Sequence, residues 1–196
     1  MENQYYYLVS SLPSLFLHET PPIRKDDFLA ICKRYVTKSD FVLLESVTLF
    51  DSRENETPSV ALRSFYNFEY RLRNALSRLR SQKLNINRDE FVRNDMPDDL
   101  SMPLAEEAFH AASPLMAEEI LNKARWRYLD DLEFGHYFDS EKVVIFFIKL
   151  QILERIYLFN TQRGREKLDA LVDLKQVQKH YFQTLSTEES DRNIHL

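Results

Sequence analysis

Only two glycines occur in 196 residues, Gly135 and Gly164. Tight hairpins draw on residues that adopt positive φ, and glycine supplies most of them. A sheet-rich architecture therefore lacks its usual turn chemistry in this chain. Phosphate-cradling loops need glycines at close spacing as well, and these two are far apart. The expected fold is all-α, an irregular multi-helix bundle. Hydrophobic residues make up 44%, with 14 Phe, 10 Tyr and 1 Trp, and such large rings suit thick helix–helix interfaces.

Apolar spacing and punctuation divide the chain. Tyr5, Leu8, Val9 and Leu12 keep a helical spacing that Pro13 stops. After Pro21-Pro22, a helix is expected over 25–36 with Phe28, Ile31, Cys32 and Tyr35 inward, and a shorter one over 39–50 capped by Ser39 or Asp40. The polar run 51–59 reads as a loop. A long helix follows over 60–83, its inward face Phe65, Phe68, Leu72, Ala75, Leu76 and Leu79. Polar, irregular sequence runs from Asn85 to Met102, then a short helix over 104–112. Ser113-Pro114 is a restart signal, with Ser as N-cap and Pro in the first turn, and the helix it opens should end near Leu132, before Gly135. Asp139 or Ser140 caps a central helix through Val143, Phe147, Leu150, Leu153, Tyr157 and Phe159, apolar on nearly every side. Gly164 marks a break, and an amphipathic helix over 165–185 carries Leu168, Leu171, Val172 and Tyr181. The organisation expected is a single helical domain over 1–185, or two lobes over 1–84 and 103–185, followed by a flexible polar tail over 186–196.

The central helix is the most apolar stretch, but Lys149, Gln151, Glu154 and Arg155 interrupt it. A membrane span needs roughly 20 predominantly apolar residues, so no direct span is expected. The opening MENQYYYLVSSLP has neither a basic n-region nor a long apolar run, and no secretory signal is expected. A net charge of −5 argues against nucleic acid as a partner. Charge is nonetheless segregated. Residues 61–94 carry eight Lys/Arg against three Asp/Glu, and residues 95–139 carry three against eleven. These are either solvated faces that pair with one another or surfaces for two different partners. Arg71 and Arg78 are seven residues apart, as are Arg73 and Arg80, so each pair lies along one flank of the long helix. That flank is the candidate surface for an acidic partner.

Catalytic chemistry finds little footing. Cys32 is the lone cysteine and sits on an apolar helical face, as a packed core thiol does. There is no Gly-x-Ser-x-Gly elbow, and neighbouring acids such as Asp98-Asp99 and Asp130-Asp131 point about 100° apart on a helix. The nearest approach to a metal site is a pair of Glu-x-x-His motifs, Glu107–His110 and Glu133–His136. That spacing sets a carboxylate and an imidazole on one helical face, as di-iron bundles do, and Glu69, Glu118 or Glu154 could supply the remaining carboxylates. Against it, Pro114 cuts the first motif short and Gly135 breaks the second. The expectation is no catalytic residue, no resident metal and no cofactor, with a di-metal helical enzyme as the remote alternative.

The stretch VVIFFIKLQILERIYLFNTQRGREKLDALV joins a dense apolar helix, a Glu154-Arg155 pair and Gly164 with an arginine on each side. It resembles the C-terminal helix of the C/d-type stalk polypeptide of V-type and archaeal-type ATPases. The opening YYYLVSSLPSL, the Pro-Pro-Ile stretch and the Phe-Leu helix after it resemble a small bacterial family whose genes lie among those of V-type ATPases. The resemblance implies a shortened version of the C/d-type helical fold and a non-catalytic adaptor of the central stalk. Its partners would be the rotating shaft and the membrane ring that carries out proton or sodium transport. It would be cytoplasmic and peripheral to the inner membrane, held there through the complex. It also makes Glu154 and Arg155 candidate partner-binding residues beside Arg71, Arg73, Arg78 and Arg80. A general helical scaffold or regulatory protein is the alternative.

Overall fold

The computed structural model describes residues 4–50, 57–86 and 101–159. Among them are seven helices and no strand: α1 (Tyr6–Ser11), α2 (Lys25–Tyr35), α3 (Lys38–Ser46), α4 (Val60–Leu84), α5 (Ser101–Phe109), α6 (Pro114–Glu133) and α7 (Ser140–Leu158). The fold is all-α. The expected helix over 165–185, the break at Gly164 and the polar tail lie outside the described residues. The chain divides into two compact units, Met1–Glu154 and Arg155–Leu196. The boundary falls inside α7 rather than in the polar segment before α5, so α4 and α6 belong to one unit.

Local chemistry sets most of the helix ends. Ser113 is extended and its Oγ accepts from the Met116 N–H at 3.2 Å, with Pro114 opening α6. Gly135 takes φ +90 just past the end of α6, a conformation open to glycine at no steric cost. Asp139 caps α7, its Oδ1 accepting from the Lys142 N–H at 3.0 Å. At α3 the cap is Thr37, not Ser39 or Asp40, its Oγ1 accepting from the Asp40 N–H at 3.3 Å. That helix also ends at Ser46, short of the expected Phe50. The Tyr66 hydroxyl donates to the Thr48 carbonyl at 2.9 Å and accepts from its N–H at 3.3 Å, which takes both backbone groups out of a helical ladder. Helix α5 starts at Ser101 and includes Pro103. Proline is tolerated there because first-turn N–H groups have no intrahelical acceptor.

Burial explains the arrangement of the first unit. From Val143 to Leu150 every residue of α7 is buried, and Ile152 and Leu153 follow, as its all-round apolar character requires. Phe28 of α2 stacks between Phe146 and Phe147 with both ring centroids at 5.2 Å. Helices α4, α5 and α6 share a second cluster, in which Ala75, Ala105, Ala108 and Ala124 sit among Phe68, Leu72, Leu76 and Leu121. The small alanines allow close approach. Phe68 stacks on Tyr128 at 4.4 Å, a contact of about 0.5–1.5 kcal/mol beyond its buried area. Tyr35, expected inward, is 44% exposed and packs against Tyr7. No helix among the described residues is long and apolar enough to cross a membrane.

Candidate functional site

The buried charges account for several of the residues with chemical potential. Arg125 of α6 and Glu69 of α4 are both within 5% of full burial. The guanidinium donates from Nε and Nη2 to the two Glu69 oxygens and from Nη1 to Asn122 Oδ1 at 2.9 Å. This fork satisfies a charge that would otherwise be costly to bury. Arg73 reaches the same Glu69 carboxylate at 3.6 Å and lies over the Phe50 ring at 4.4 Å.

A second cluster joins α6 to α7. Lys149 is the cation that interrupts the apolar α7 sequence. Its ammonium is buried, pairs with Asp130 at 2.6 Å and with Glu133, and lies 5.5 Å from the Trp126 ring. Lys142 holds the other Glu133 oxygen. Burial pushes the Glu133 carboxyl up, but hydrogen bonds from Lys142 and Lys149 outweigh that and hold it below its ordinary value. His136 bonds to the Asp139 carboxylate through Nδ1. Glu133 and His136 are thus engaged with different partners. Glu107 and His110 are exposed, on and just after α5. The two Glu-x-x-His motifs do not converge, and no group of three or more His, Cys, Asp or Glu among the described residues is placed to hold a metal ion. Cys32 is fully buried, and burial pushes its thiol up to about 12.

The α7 helix also caps two of its neighbours with carboxylates. Glu141 accepts from Ser59 Oγ at 2.6 Å and from the Val60 and Ala61 N–H groups at 3.1 and 3.0 Å, at the start of α4. Glu154 accepts from the Lys25 N–H at 2.7 Å, at the start of α2. Each negative charge meets the orphan N–H groups and the positive dipole end of a helix. One of the candidate partner-binding residues, Glu154, therefore has an internal task. Arg155, in the second unit, lies over the Phe159 ring at 5.3 Å.

The basic flank of α4 does not form one stripe. Arg73 turns to Glu69 and Phe50, Arg78 is half-buried, and Arg80 is exposed. Arg71 lines a groove of about 660 Å³ between α4, α5 and α6. Phe68, Leu104, Met116, Ile120 and Tyr128 give the groove apolar walls. Arg71, Lys123 and Arg127 line it together with Glu107, Glu119 and Asp131. Sequence reasoning found Arg71 and Glu107 separately, but it missed that α4 and α5 bring them to one groove. The i, i+4 series Glu119, Lys123, Arg127 and Asp131 on α6 was the available signal.

An all-helical bundle with internally committed charges and a mixed-charge groove defines a class of helical protein without naming an activity. Residues 47–178, about two thirds of the chain, match the family described as "Protein of unknown function (DUF2764)", and the chain belongs to that family. Searches of curated proteins and of solved structures return no significant match.

Proposed function

We propose that this protein is a non-catalytic docking protein, an adaptor in the central stalk of a V-type ATPase that links the rotating shaft to the membrane ring. The reading places it on the cytoplasmic side, peripheral to the inner membrane and held there through the complex. The groove between α4 and α6 carries the docking part of the proposal. Its apolar walls and two-signed lining suit a partner helix that presents an apolar stripe flanked by charge. The resemblance of residues 143–172 to the C-terminal helix of the C/d-type stalk polypeptide supports the assignment to the ATPase. The commitment of Glu69, Glu133, Glu141, Glu154 and His136 to internal contacts agrees with a role that needs no acid–base chemistry. A general helical scaffold would use the same groove, and gene neighbourhood separates the two, since a stalk component is encoded beside the catalytic subunits.

Charge reversal in the groove tests the reading. Arg71→Glu combined with Arg127→Glu, both in the groove lining, is expected to release the protein from the assembled ATPase by at least about tenfold, since opposed charges at a docking surface cost several kcal/mol. Unchanged assembly of that variant would remove the groove from the account.

A further inference from the structure

Aromatic residues gather where three parts of the first unit meet. The Tyr5 N–H donates to the Phe138 carbonyl, which ties α1 to the turn between α6 and α7. The Tyr5 hydroxyl donates to Asp40 and accepts from the Thr37 N–H, which ties α1 to the junction of α2 and α3. Around these ties Tyr6 packs on Phe138 at 4.8 Å and Tyr7 on Tyr35 at 5.2 Å. Phe134 and Tyr137 stand in the same turn as Phe138. The rings project outward: Phe134 is 88% exposed, Tyr7 71% and Tyr137 66%. Exposed rings in one turn and on the helix packed against it make this end a candidate interaction surface.

Four acids on this end are engaged within the fold, while Asp131, three residues before Phe134, stays exposed. Asp40 is taken by Tyr5, Asp139 by His136 and the α7 N-terminus, Asp130 by Lys149, and Glu133 by Lys142 and Lys149. Lys33 and Arg34 in the last turn of α2 and Lys38 at the start of α3 are exposed. Projecting rings beside exposed cations match an interface that is apolar beneath and anionic at its surface.

We propose that this aromatic end docks on an anionic lipid bilayer, with Phe134 and Tyr137 entering the headgroup region and Lys33, Arg34 and Lys38 meeting the phosphates. The occupant follows from the exposure and the charge. A phenyl ring that is 88% exposed suits insertion among lipid headgroups, and the exposed Lys33, Arg34 and Lys38 favour a bilayer of anionic lipid. A two-fold contact with a second copy would bring both sets of cations face to face. The inference goes beyond the ATPase reading and rests on the aromatic end alone, since its test contains no ATPase component.

The purified full-length chain is sedimented with vesicles of phosphatidylcholine and with vesicles containing about a third phosphatidylglycerol. Binding is expected to be at least about tenfold tighter to the anionic vesicles and to weaken as salt is raised. Phe134→Ser with Tyr137→Ser should weaken it by about tenfold or more, from the lost apolar insertion. Leu84→Ser, at an exposed position at the end of α4, should leave it unchanged. Circular dichroism matching the wild type confirms that the variants fold, as expected for exposed side chains. Equal binding by the Phe134/Tyr137 variant and the wild type would overturn the proposal. So would a chain that binds neither vesicle, whether it instead binds soluble polyglutamate, as for an acidic protein partner, or forms a dimer that the same variant returns to a monomer.

Discussion

Arg125 carries its charge into the interior because Glu69 and Asn122 present acceptors to its fork of donors. Removing Arg125 leaves Glu69 buried with only the longer 3.6 Å contact to Arg73, so Arg125→Ala is expected to lower unfolding stability by about 3 kcal/mol in urea titrations. The paired change Glu69→Leu with Arg125→Met should cost far less, because it removes both charges and keeps the volume. Glu133 gives a second residue-scale prediction, with a definite sign. Its folded-state carboxyl titrates below its ordinary value, so it contributes stability at neutral pH. That contribution is lost as pH falls through the folded value. In Lys142→Met with Lys149→Met only burial remains, which pushes the carboxyl up and reverses the sign, so the Glu133 contribution should improve on acidification. Urea midpoints followed from neutral pH through the carboxylate range distinguish the two behaviours. Little of this was legible in the sequence. Lys149 stood out only as a break in an apolar run, yet a cation there must meet carboxylates or remain desolvated. Asp130 and Glu133, three apart near the end of α6, were the nearest signal.

The helices themselves were legible because their punctuation is strong. Ser113-Pro114, Gly135 and Asp139 act through local geometry that the sequence displays, and α6 begins and α7 is capped where those residues stand. The discrepancies have tertiary causes. Tyr66 ends α3 early from 18 residues away, and Tyr35 leaves the core to meet Tyr7. The carboxylate caps from α7 were equally invisible, since Glu141 reaches α4 across about 80 residues of chain and Glu154 reaches α2 across about 130. Both belong to one helix, about 20 Å apart at 1.5 Å per residue, so α7 fixes the starts of two neighbours while burying its own apolar surface. Glu141→Ala removes three hydrogen bonds from the start of α4. It is expected to lower stability by about 1–3 kcal/mol. Ser113→Ala, which removes a single capping bond from α6, should cost about 1 kcal/mol. Thermal or urea denaturation of the two variants side by side tests that order, and equal losses would show that the Glu141 contacts add nothing to an ordinary cap.

At the scale of the molecule, the first unit is a helical body whose buried charged groups help hold α4, α6 and α7 together. It leaves two surfaces of different character. The groove between α4 and α6 has charge of both signs around apolar walls, which favours a specific protein partner. The aromatic end, with its exposed rings and exposed cations, favours an anionic interface. An adaptor between a shaft and a membrane ring would use a surface of each kind. The two surfaces were not legible in the sequence, because each combines residues from three separated segments. The most direct test of the adaptor account is affinity purification of the tagged chain from solubilised membranes of its own host, with every co-purifying protein identified and quantified. Stalk and membrane-ring components of a V-type ATPase recovered in fixed ratio to the chain are the predicted result. Recovery of the chain alone, from membranes that demonstrably contain the intact ATPase, would contradict it.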